Sequence, residues 1–352
     1  MKTENSLKTV QLALLFLLWA LCAPNASAWD YEGHRLINQL ALTSLPANFP
    51  GFCRTPEARE RIAFLAGEPD RWRNTPELAL KHVNGPDHYL DLEDLAPYHL
   101  EPPSLPRFRY DFIAQLAVAR AMHPDRFPPI DPLMDADHTR ALVGFLPWTI
   151  TEYYARLKSA FSYLKAFEEA GASVDATNAA DNVVYLMGVM GHFVGDSGQP
   201  LHSTSHFNGW TGANPHGYTT NKSFHRWIDG GYLQKLGVHS ISALPKLRSA
   251  HLFSGPRPAS SQDDPFPRVI AFLCGQNRLV EPLYILEKEG RLSRDGPVDP
   301  AGREFILAQV AAAAQLLGDL WYTAWQEAPP DPYLKAQLAK RPLPVEPPKA
   351  SP

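Results

Sequence analysis

The stretch GHFVGDSGQPLH, which begins at Gly191, constrains the fold of this chain more than any other part of the sequence. It follows an apolar run and places His192 four residues before an aspartate, the spacing that puts two side chains on one face of a helix. Gly191 and Gly195 flank His192, although each glycine costs about 1 kcal/mol in a helix interior. We therefore expect another group to approach this helix closely. Pro200 should end the helix and leave His202 free to point elsewhere.

A buried histidine and aspartate on one helix face are explained equally well as an ordinary hydrogen-bonded pair of the core. The rest of the chain decides between that interpretation and a functional one. Its first 28 residues have the pattern of an export signal: a basic start, the apolar run VQLALLFLLWALC and the small-residue cleavage sequence Ala-Ser-Ala. That run is too short to span a bilayer comfortably. Cys22 stands in a poor context for lipidation. We therefore expect a secreted or periplasmic protein whose mature chain begins at Trp29.

Charge and cysteine content exclude two classes of protein. Loss of Lys2, Glu4 and Lys8 with the signal changes the formal net charge from −4 to −5, which argues against stable binding of duplex DNA through a large basic surface. The mature chain keeps Cys53 and Cys274, too few for a zinc–thiolate centre. In an exported protein these two could form one disulfide, but the sequence does not place them within bonding distance.

Helical periodicity recurs along the remainder of the chain, and no strand pattern does. We predict an all-α, single-domain multi-helix bundle over residues 29–327. The predicted helices are one carrying Leu36, Ile37, Leu40 and Ala41, one after Thr55, then 110–122, 151–170, a helix from about 176 to the glycine-rich stretch, 265–289 and 299–326. Residues 93–150 are rich in proline and predict an elaborated surface insertion. Residues 328–352 form a proline-rich tail with too little apolar surface to fold alone, so we predict disorder there.

Histidines and carboxylates recur in groups along the sequence. The groups are Trp29 with His34; Asp70 with His88; His192 with Asp196; and His202 with His225 and Asp229. His225 and Asp229 repeat the four-residue spacing on a second predicted helix. Neutral imidazole and carboxylate are the ligands that zinc takes in hydrolytic sites, where one position usually stays open for water.

The order of these groups resembles the secreted trinuclear zinc nucleases of fungi, plants and bacteria, the S-one/P-one type, which share a fold with bacterial zinc phospholipase C. In that family the mature chain begins with a tryptophan that chelates a metal through its free amine and carbonyl oxygen, and a pattern His-x3-Asp-x5-His is followed by His-x3-Asp. Both features have their counterparts here. The resemblance spans residues 29–229, and the C-terminal third fits only as helices.

The resemblance implies three Zn²⁺ ions. One would be held by Asp70, His88, His192 and Asp196; a second by Trp29, His34 and the shared Asp196; and a third, more exposed, by His202, His225 and Asp229. Closely spaced zinc ions lower the pKa of bound water and suit phosphodiester hydrolysis. The resemblance further implies that Asp70 orients the attacking water and that Arg73 stabilises the transition state. The alternative for Arg73 is a solvated surface arginine.

The expected substrate follows from the residues beside His88. The resemblance implies that Tyr89 stacks on a base and that Asp91 hydrogen-bonds its edge, which suits unstacked, single-stranded substrates. A core tyrosine and a capping aspartate are the plainer alternative. The expected function is a sugar-nonspecific nuclease that cleaves single-stranded DNA and RNA to 5′-phosphates, with 3′-nucleotidase activity. His206 is the next candidate ligand, although it lies in a polar loop.

Two rival functions stay open at this point. A phospholipase C on the same metal site would act on lipid head groups, and aromatic residues of the insertion could then meet a membrane. Those residues are Phe108, Tyr110, Phe112, Phe145 and Trp148. Against this rival, Asp229 stands where phospholipases have a glutamate. The second rival is a zinc-binding envelope protein without catalytic activity.

Overall fold

The computed structural model describes residues 29–238, 245–252 and 264–341. The predicted signal, residues 1–28, lies outside them. The helices are α1 (Tyr31–Ser44), α2 (Pro56–Leu65), α3 (Glu68–Arg73), α4 (Leu78–Asn84), α5 (Arg109–Met122), α6 (Leu146–Glu169), α7 (Ser173–Ser197), α8 (Phe224–Arg226), α9 (Leu233–Leu236), α10 (Phe266–Asn277), α11 (Val280–Lys288), α12 (Pro300–Glu327) and α13 (Pro332–Leu338). Within the described residues there is no β-strand, and the prediction of an all-α, single-domain bundle is confirmed.

The bundle is built around the antiparallel pair α6 and α7, with α1, α2 and α12 packed against it. Helix α1 begins where the Asp30 side chain accepts a hydrogen bond from the backbone N–H of Gly33, and α2 begins at the predicted cap, Thr55. Every residue of α7 from Met187 to Ser197 is buried. The histidine and aspartate of this helix therefore lie in the centre of the protein.

Helix α12 is long and apolar enough to cross a membrane by length and composition alone. However, 67% of its most apolar window is buried inside the bundle, where it packs against α1, α6 and α7. A core helix of a large bundle is apolar all round for the same reason as a membrane span, because neither meets water. The burial identifies α12 as a core helix.

Several helix boundaries differ from the sequence-based prediction. Helix α6 begins at Leu146 rather than Thr151, because Pro147 occupies the first turn, where its missing N–H costs nothing. The predicted helix 265–289 is two helices, α10 and α11, separated at Arg278 and Leu279. The tail predicted to be disordered contains α13, which is fixed to α6 by a hydrogen bond from Asp331 N to Ser162 O (3.2 Å). Residues 342–352 lie outside the described residues.

The aromatic residues of the insertion do not form the exposed surface that the phospholipase alternative needs. Phe112, Phe145 and Trp148 are buried, and Phe112 stacks on Trp148 with ring centroids 4.3 Å apart. Only Phe108 and Tyr110 are exposed. The expectation of five outward-facing aromatics is therefore wrong for three of them, because they form the core between the insertion and α6.

The two cysteines of the mature chain do not pair. Cys53 and Cys274 are both free. Cys53 is buried beside Met187, with 3.7 Å between the two sulfur atoms, and burial raises the pKa of its thiol to about 12. The Cys53 side chain therefore behaves as a small apolar residue of the core.

Candidate metal centre

Helix α7 accommodates its two glycines because other elements touch its backbone at those positions. A Cβ at Gly191 would overlap the side-chain amide of Asn38, and a Cβ at Gly195 would lie 2.8 Å from His34 Nδ1. Asn38 and His34 both belong to α1. The close approach predicted from the sequence is therefore confirmed, and α1 is the element that makes it.

The side chain of His192 is oriented by a hydrogen bond outside the cluster. Its Nδ1 donates to the carbonyl oxygen of Ala66 at 2.7 Å, and because a carbonyl can only accept, Nε2 carries the free lone pair. Nε2 lies 3.0 Å from His88 Nδ1 and 3.4 Å from Asp196 Oδ2. These atoms converge on one point as ligands do.

Four further distances define this first cluster. His88 Nδ1 lies 2.9 Å from Asp196 Oδ2, and His34 Nε2 lies 3.4 Å from Asp196 Oδ1. Asp70 Oδ1 lies 4.0 Å from His192 Nε2, and the rings of His34 and His192 stack with centroids 3.9 Å apart. Ligand atoms about 2.0–2.1 Å from a tetrahedral zinc ion are separated by about 3.3 Å. The spacing of the donor atoms therefore fits a metal ion better than a set of side-chain hydrogen bonds.

Asp196 stands between two groups of ligand atoms. Its Oδ1 faces His34, and its Oδ2 faces His88 and His192. Two sets of potential ligands share this region, His34–Asp70–His192 and His88–His192–Asp196. The side chains expected to hold the first two ions are thus brought together, although His34 lies near Asp70 and His192 as well as near Asp196.

The second cluster contains His202, His225 and Asp229. His225 Nε2 lies 3.0 Å from His202 Nε2 and 3.0 Å from Asp229 Oδ2. His202 Nδ1 donates to the carbonyl oxygen of His88 at 2.5 Å, which fixes its free Nε2 toward His225 and couples the two clusters. The side-chain amide Nε2 of Gln199 donates a hydrogen bond to the other carboxylate oxygen of Asp229, Oδ1, at 2.5 Å.

The helix that carries His225 and Asp229 is not a regular α-helix. α8 ends at Arg226, and residues Trp227–Tyr232 form a π-helical turn that contains Asp229. Such turns are rare and are frequent at functional sites. The predicted second helix is therefore present, but His225 and Asp229 are separated by a widened, π-helical turn rather than by a regular α-helical one.

Trp29 lies between the two clusters. Its indole Nε1 donates to the carbonyl oxygen of Gly195 at 3.0 Å, and the adjacent backbone N–H of Asp30 donates to the carbonyl oxygen of Asp229 at 3.1 Å. Its side chain is fully buried. The first residue of the expected mature chain is therefore fixed next to ligands of both clusters.

The ionisable groups of both clusters are almost completely enclosed. Burial lowers the pKa of His88, His192 and His225 well below the ordinary value, and lowers the pKa of His202 to about 4. Burial also raises the pKa of Asp196 and Asp229 well above the ordinary carboxyl range. Burial of this kind is strongly unfavourable unless a counter-charge is present.

Several polar atoms of the clusters accept no hydrogen bond. Among them are Asp196 Oδ1 and Asp229 Oδ2, both buried. An unsatisfied buried polar group costs about 1–3 kcal/mol, so a native fold rarely tolerates several together. Divalent cations would satisfy these oxygens and supply the missing positive charge. The residues present therefore fit the metal ions that the sequence resemblance implies.

Asp70 and Arg73 lie together on the short helix α3. Arg73 Nε is 3.2 Å from Asp70 Oδ1, and both side chains are largely buried. Arg73 lines a cleft of about 660 Å³ together with His202 and His225. The interpretation of Arg73 as a solvated surface residue is wrong, because the side chain is largely buried and paired with Asp70, next to the first candidate cluster.

The segment that carries His88, Tyr89 and Asp91 is held by backbone hydrogen bonds on two sides. On one side, Leu90 N donates to His202 O (3.0 Å). On the other side, the end of the insertion forms two backbone hydrogen bonds with the segment, from Asp91 N to Val143 O (2.9 Å) and from Leu146 N to Tyr89 O (3.1 Å). Gly144, with φ +102°, lies so close that a Cβ there would overlap the Tyr89 carbonyl. The insertion thus supports the cleft directly.

Tyr89 and Asp91 both line the cleft, as the base-binding prediction requires. Asp91 is 7% exposed, and its Oδ1 accepts no hydrogen bond. Burial is the main cause that raises the pKa of Asp91 well above its ordinary value, and repulsion by the neighbouring carboxylates of Asp94 and Glu93 raises it further. Asp91 stands at the N-cap position of the turn Leu92–Tyr98, as the alternative interpretation expects, but its side chain makes no capping hydrogen bond to that turn.

Sequence reasoning missed other residues of the cleft. Phe207, 38% exposed, and Asn208, whose Oδ1 is buried without a hydrogen bond, come from the loop between His202 and His225. The insertion contributes Met134, Asp137, Thr139, Arg140 and Leu142. The glycine and asparagine content of the loop was the only available signal, and it does not say which side chain faces the cleft.

His206, the next candidate ligand, belongs to neither cluster. Its ring stacks on Trp210 with centroids 4.0 Å apart, and its Nδ1 is 2.9 Å from the Thr211 hydroxyl. The four-residue spacing from His202 is therefore without consequence, because the helical turn that contains His202 ends at Ser203.

Comparison of the chain with protein-family models and with curated proteins finds no match. The identification of the site therefore depends on the convergence of its residues. Eight side chains, expected from a sequence pattern, come from six separate helices and turns and meet in two adjacent buried clusters.

Proposed function

We propose that this protein is a zinc-dependent phosphodiesterase of the trinuclear type, exported and completed by cleavage before Trp29. The observation that supports this most strongly is the pair of adjacent buried histidine–carboxylate clusters, of which the second contributes His202 and His225 to the lining of the cleft. Asp196, facing ligands on two sides, is the residue that would bridge two ions, and His202, His225 and Asp229 would hold the third. A purely structural zinc site closes its coordination with four side chains, whereas the second cluster offers three.

Zinc ions bound here would lower the pKa of water and polarise the phosphoryl oxygens of a phosphodiester. The residues of the chain have distinct tasks around that chemistry. Asp70, beside the first cluster, holds Arg73 through their ion pair and accepts a hydrogen bond from the attacking water. Arg73 directs its guanidinium into the cleft, where it binds phosphate oxygens and the charge that develops on them.

Within this class we propose a nuclease for single-stranded DNA and RNA, with 3′-nucleotidase activity. The cleft offers aromatic rings from Tyr89 and Phe207 and unsatisfied polar atoms from Asp91 and Asn208, which suits flat bases with hydrogen-bonding edges. Such contacts require bases that are free of a duplex. The burial of Phe112, Phe145 and Trp148 removes the main support for a lipid substrate.

The test compares two substrates on one sample of protein beginning at Trp29. Turnover of single-stranded RNA and of phosphatidylcholine vesicles is measured with zinc content determined on the same sample. We expect cleavage of RNA to 5′-phosphates and negligible release of phosphocholine. Cleavage of lipid alone would contradict the nuclease assignment, and absence of turnover on both substrates by zinc-loaded protein would contradict a phosphodiesterase.

A further inference from the structure

Two cations of the cleft form no ion pair among the described residues. They are Lys81 of α4 and Arg140 of the segment that leads to α6, and both line the cleft together with Arg73. Arg73, in contrast, is paired with Asp70. Arg140 donates from Nε to the carbonyl oxygen of Met134 at 3.1 Å, and its exposed guanidinium makes no other hydrogen bond within the described residues. Both positive charges are therefore available to a ligand.

The segments that carry the two cations are joined to each other. Helix α4 buries none of its residues, yet it is joined to the insertion because His82 Nδ1 donates to the carbonyl oxygen of Asp137 at 2.8 Å. Asp135 accepts the backbone N–H of Arg140 at 3.0 Å, which fixes the insertion side. Helix α4 and the insertion thus form one continuous wall of the cleft.

We propose that Lys81 and Arg140 form a second phosphate-binding site beside the metal clusters, so that the preferred substrate carries at least two successive phosphates. This inference rests on the proposed function. It implies that the preferred substrate is a strand of three or more nucleotides rather than an isolated phosphodiester. A planar guanidinium and a mobile ammonium are the side chains that bind phosphate oxygens best. Asp137 also lines the cleft, with its carboxylate accepting the Thr139 hydroxyl, and it opposes this attraction.

The experiment compares kcat/KM for a trinucleoside diphosphate and a dinucleoside monophosphate, which differ by one phosphate and one nucleoside. We expect the wild-type protein to prefer the trinucleotide by about fivefold or more, the size of an exposed charge–phosphate contact. In the double variant Lys81→Gln/Arg140→Gln, this ratio should fall toward one. The logarithm of kcat/KM for the trinucleotide should also depend less steeply on the logarithm of salt concentration, by about 0.7 for one lost contact.

Two single variants make the result specific to these charges. Asp137→Asn removes a negative charge from the same wall and should raise the ratio. Arg61→Gln, on an exposed face of α2 outside the cleft, changes the net charge as Arg140→Gln does and should leave the ratio unchanged. Unchanged zinc content and unfolding temperature in each variant show that the fold persists.

An equal loss on both substrates in the double variant would overturn the second site, as would a wild-type ratio near one. Turnover of vesicles of phosphatidylcholine with phosphatidylglycerol gives the remaining comparison. If the double variant loses only that turnover, the two cations serve a lipid surface and the proposal is wrong. Absence of cleavage of the dinucleotide and of bis(4-nitrophenyl) phosphate would instead contradict the proposed function itself.

Discussion

The ring of His34 lies against the backbone of Gly195, so closely that a Cβ at residue 195 would be 2.8 Å from His34 Nδ1. This contact brings α1 next to Asp196 and places His34 Nε2 3.4 Å from its carboxylate. Two ligand-bearing helices can approach each other this closely only because one of them has no side chain at the point of contact. The glycine is therefore part of what brings the proposed metal ligands of α1 and α7 together.

Substitution Gly195→Ala tests that relationship. The methyl group must displace His34, so we expect the loss of about one zinc ion per chain and a decrease in stability of roughly 1–3 kcal/mol, as in other overpacked cores. Zinc content and chemical denaturation measure the two effects. Gly275→Ala on α10 is the matched control, because no atom lies within 4 Å of a Cβ there. It should be neutral or stabilising by about 0.5–1 kcal/mol. Normal zinc content in Gly195→Ala would contradict the account.

The amine of Trp29 is expected to act as a ligand once the signal is removed. Protein that retains one additional residue before Trp29 should bind about one zinc ion fewer and lose most of its activity, because a peptide nitrogen does not coordinate as an amine does. Metal analysis and RNA turnover of both forms measure this. Full activity of an uncleaved, tagged form would disprove the role of the amine.

Substitution Asp70→Asn separates catalysis from metal binding. The amide keeps the size of the side chain but loses the charge that pairs with Arg73 at 3.2 Å. We expect turnover to fall by at least about 100-fold, as when one transition-state partner is removed, with zinc content near normal. Asp181→Asn, exposed on α7, is the control and should retain full activity. Misfolding of Asp70→Asn would make this residue structural.

The role of Tyr89 is tested by removing its ring. Tyr89→Ala should raise KM for single-stranded RNA by about 10-fold, since stacking contributes about 1–3 kcal/mol per base. Turnover of bis(4-nitrophenyl) phosphate should decrease much less. Tyr89→Phe keeps the ring and should behave as the wild type. Equal losses on both substrates in Tyr89→Ala would show that the ring supports the cleft rather than a base.

The pKa shifts of the clusters predict how zinc affinity depends on pH. Burial raises the pKa of Asp196 and Asp229 above 3.8, so in the metal-free protein these carboxyls hold protons in a window above that value. Zinc must displace those protons, and its affinity should therefore rise with pH across this window. Burial lowers the pKa of His192 below 6.5, so this ligand is already neutral near pH 6.5 and adds no step there.

The same shifts predict the stability of the metal-free protein. Carboxyls with a raised pKa destabilise the fold as pH rises above 3.8, and histidines with a lowered pKa destabilise it as pH falls below 6.5. Zinc should remove the first effect, because it binds the ionised carboxylates. Calorimetric titration in buffers of different ionisation enthalpy counts the protons released. Proton uptake on zinc binding, or a steep change in affinity centred at pH 6.5, would contradict these assignments.

The parts of the fold that the sequence predicts are those with local causes. Thr55 followed by proline begins α2, and the glycines around His192 mark a close contact, because capping and backbone volume act within a few residues. The start of α6 at Leu146 and the break between α10 and α11 were missed, since packing against distant helices decides those boundaries. The helix α13 was missed for the same reason.

In the candidate site, too, features with local causes were predicted from the sequence and features that depend on long-range packing were not. Histidine and aspartate four residues apart are recognisable in sequence, and eight predicted ligand side chains meet in two clusters. The orientation of Phe112 and Trp148 depends on which face of the insertion packs against α6, and no periodic pattern reveals that. Asn208 and Arg140 reach the cleft through irregular segments, whose course follows from long-range contacts such as that between His82 and Asp137.

The most direct test of the central claim is the number of zinc ions bound by protein that begins at Trp29, measured beside the variant His225→Ala. We expect three ions per chain in the wild type. The variant should bind two, because His225 belongs to the second cluster alone and the first cluster is complete without it. One ion or none in the wild type, or an equal number in both proteins, would contradict the two-cluster centre.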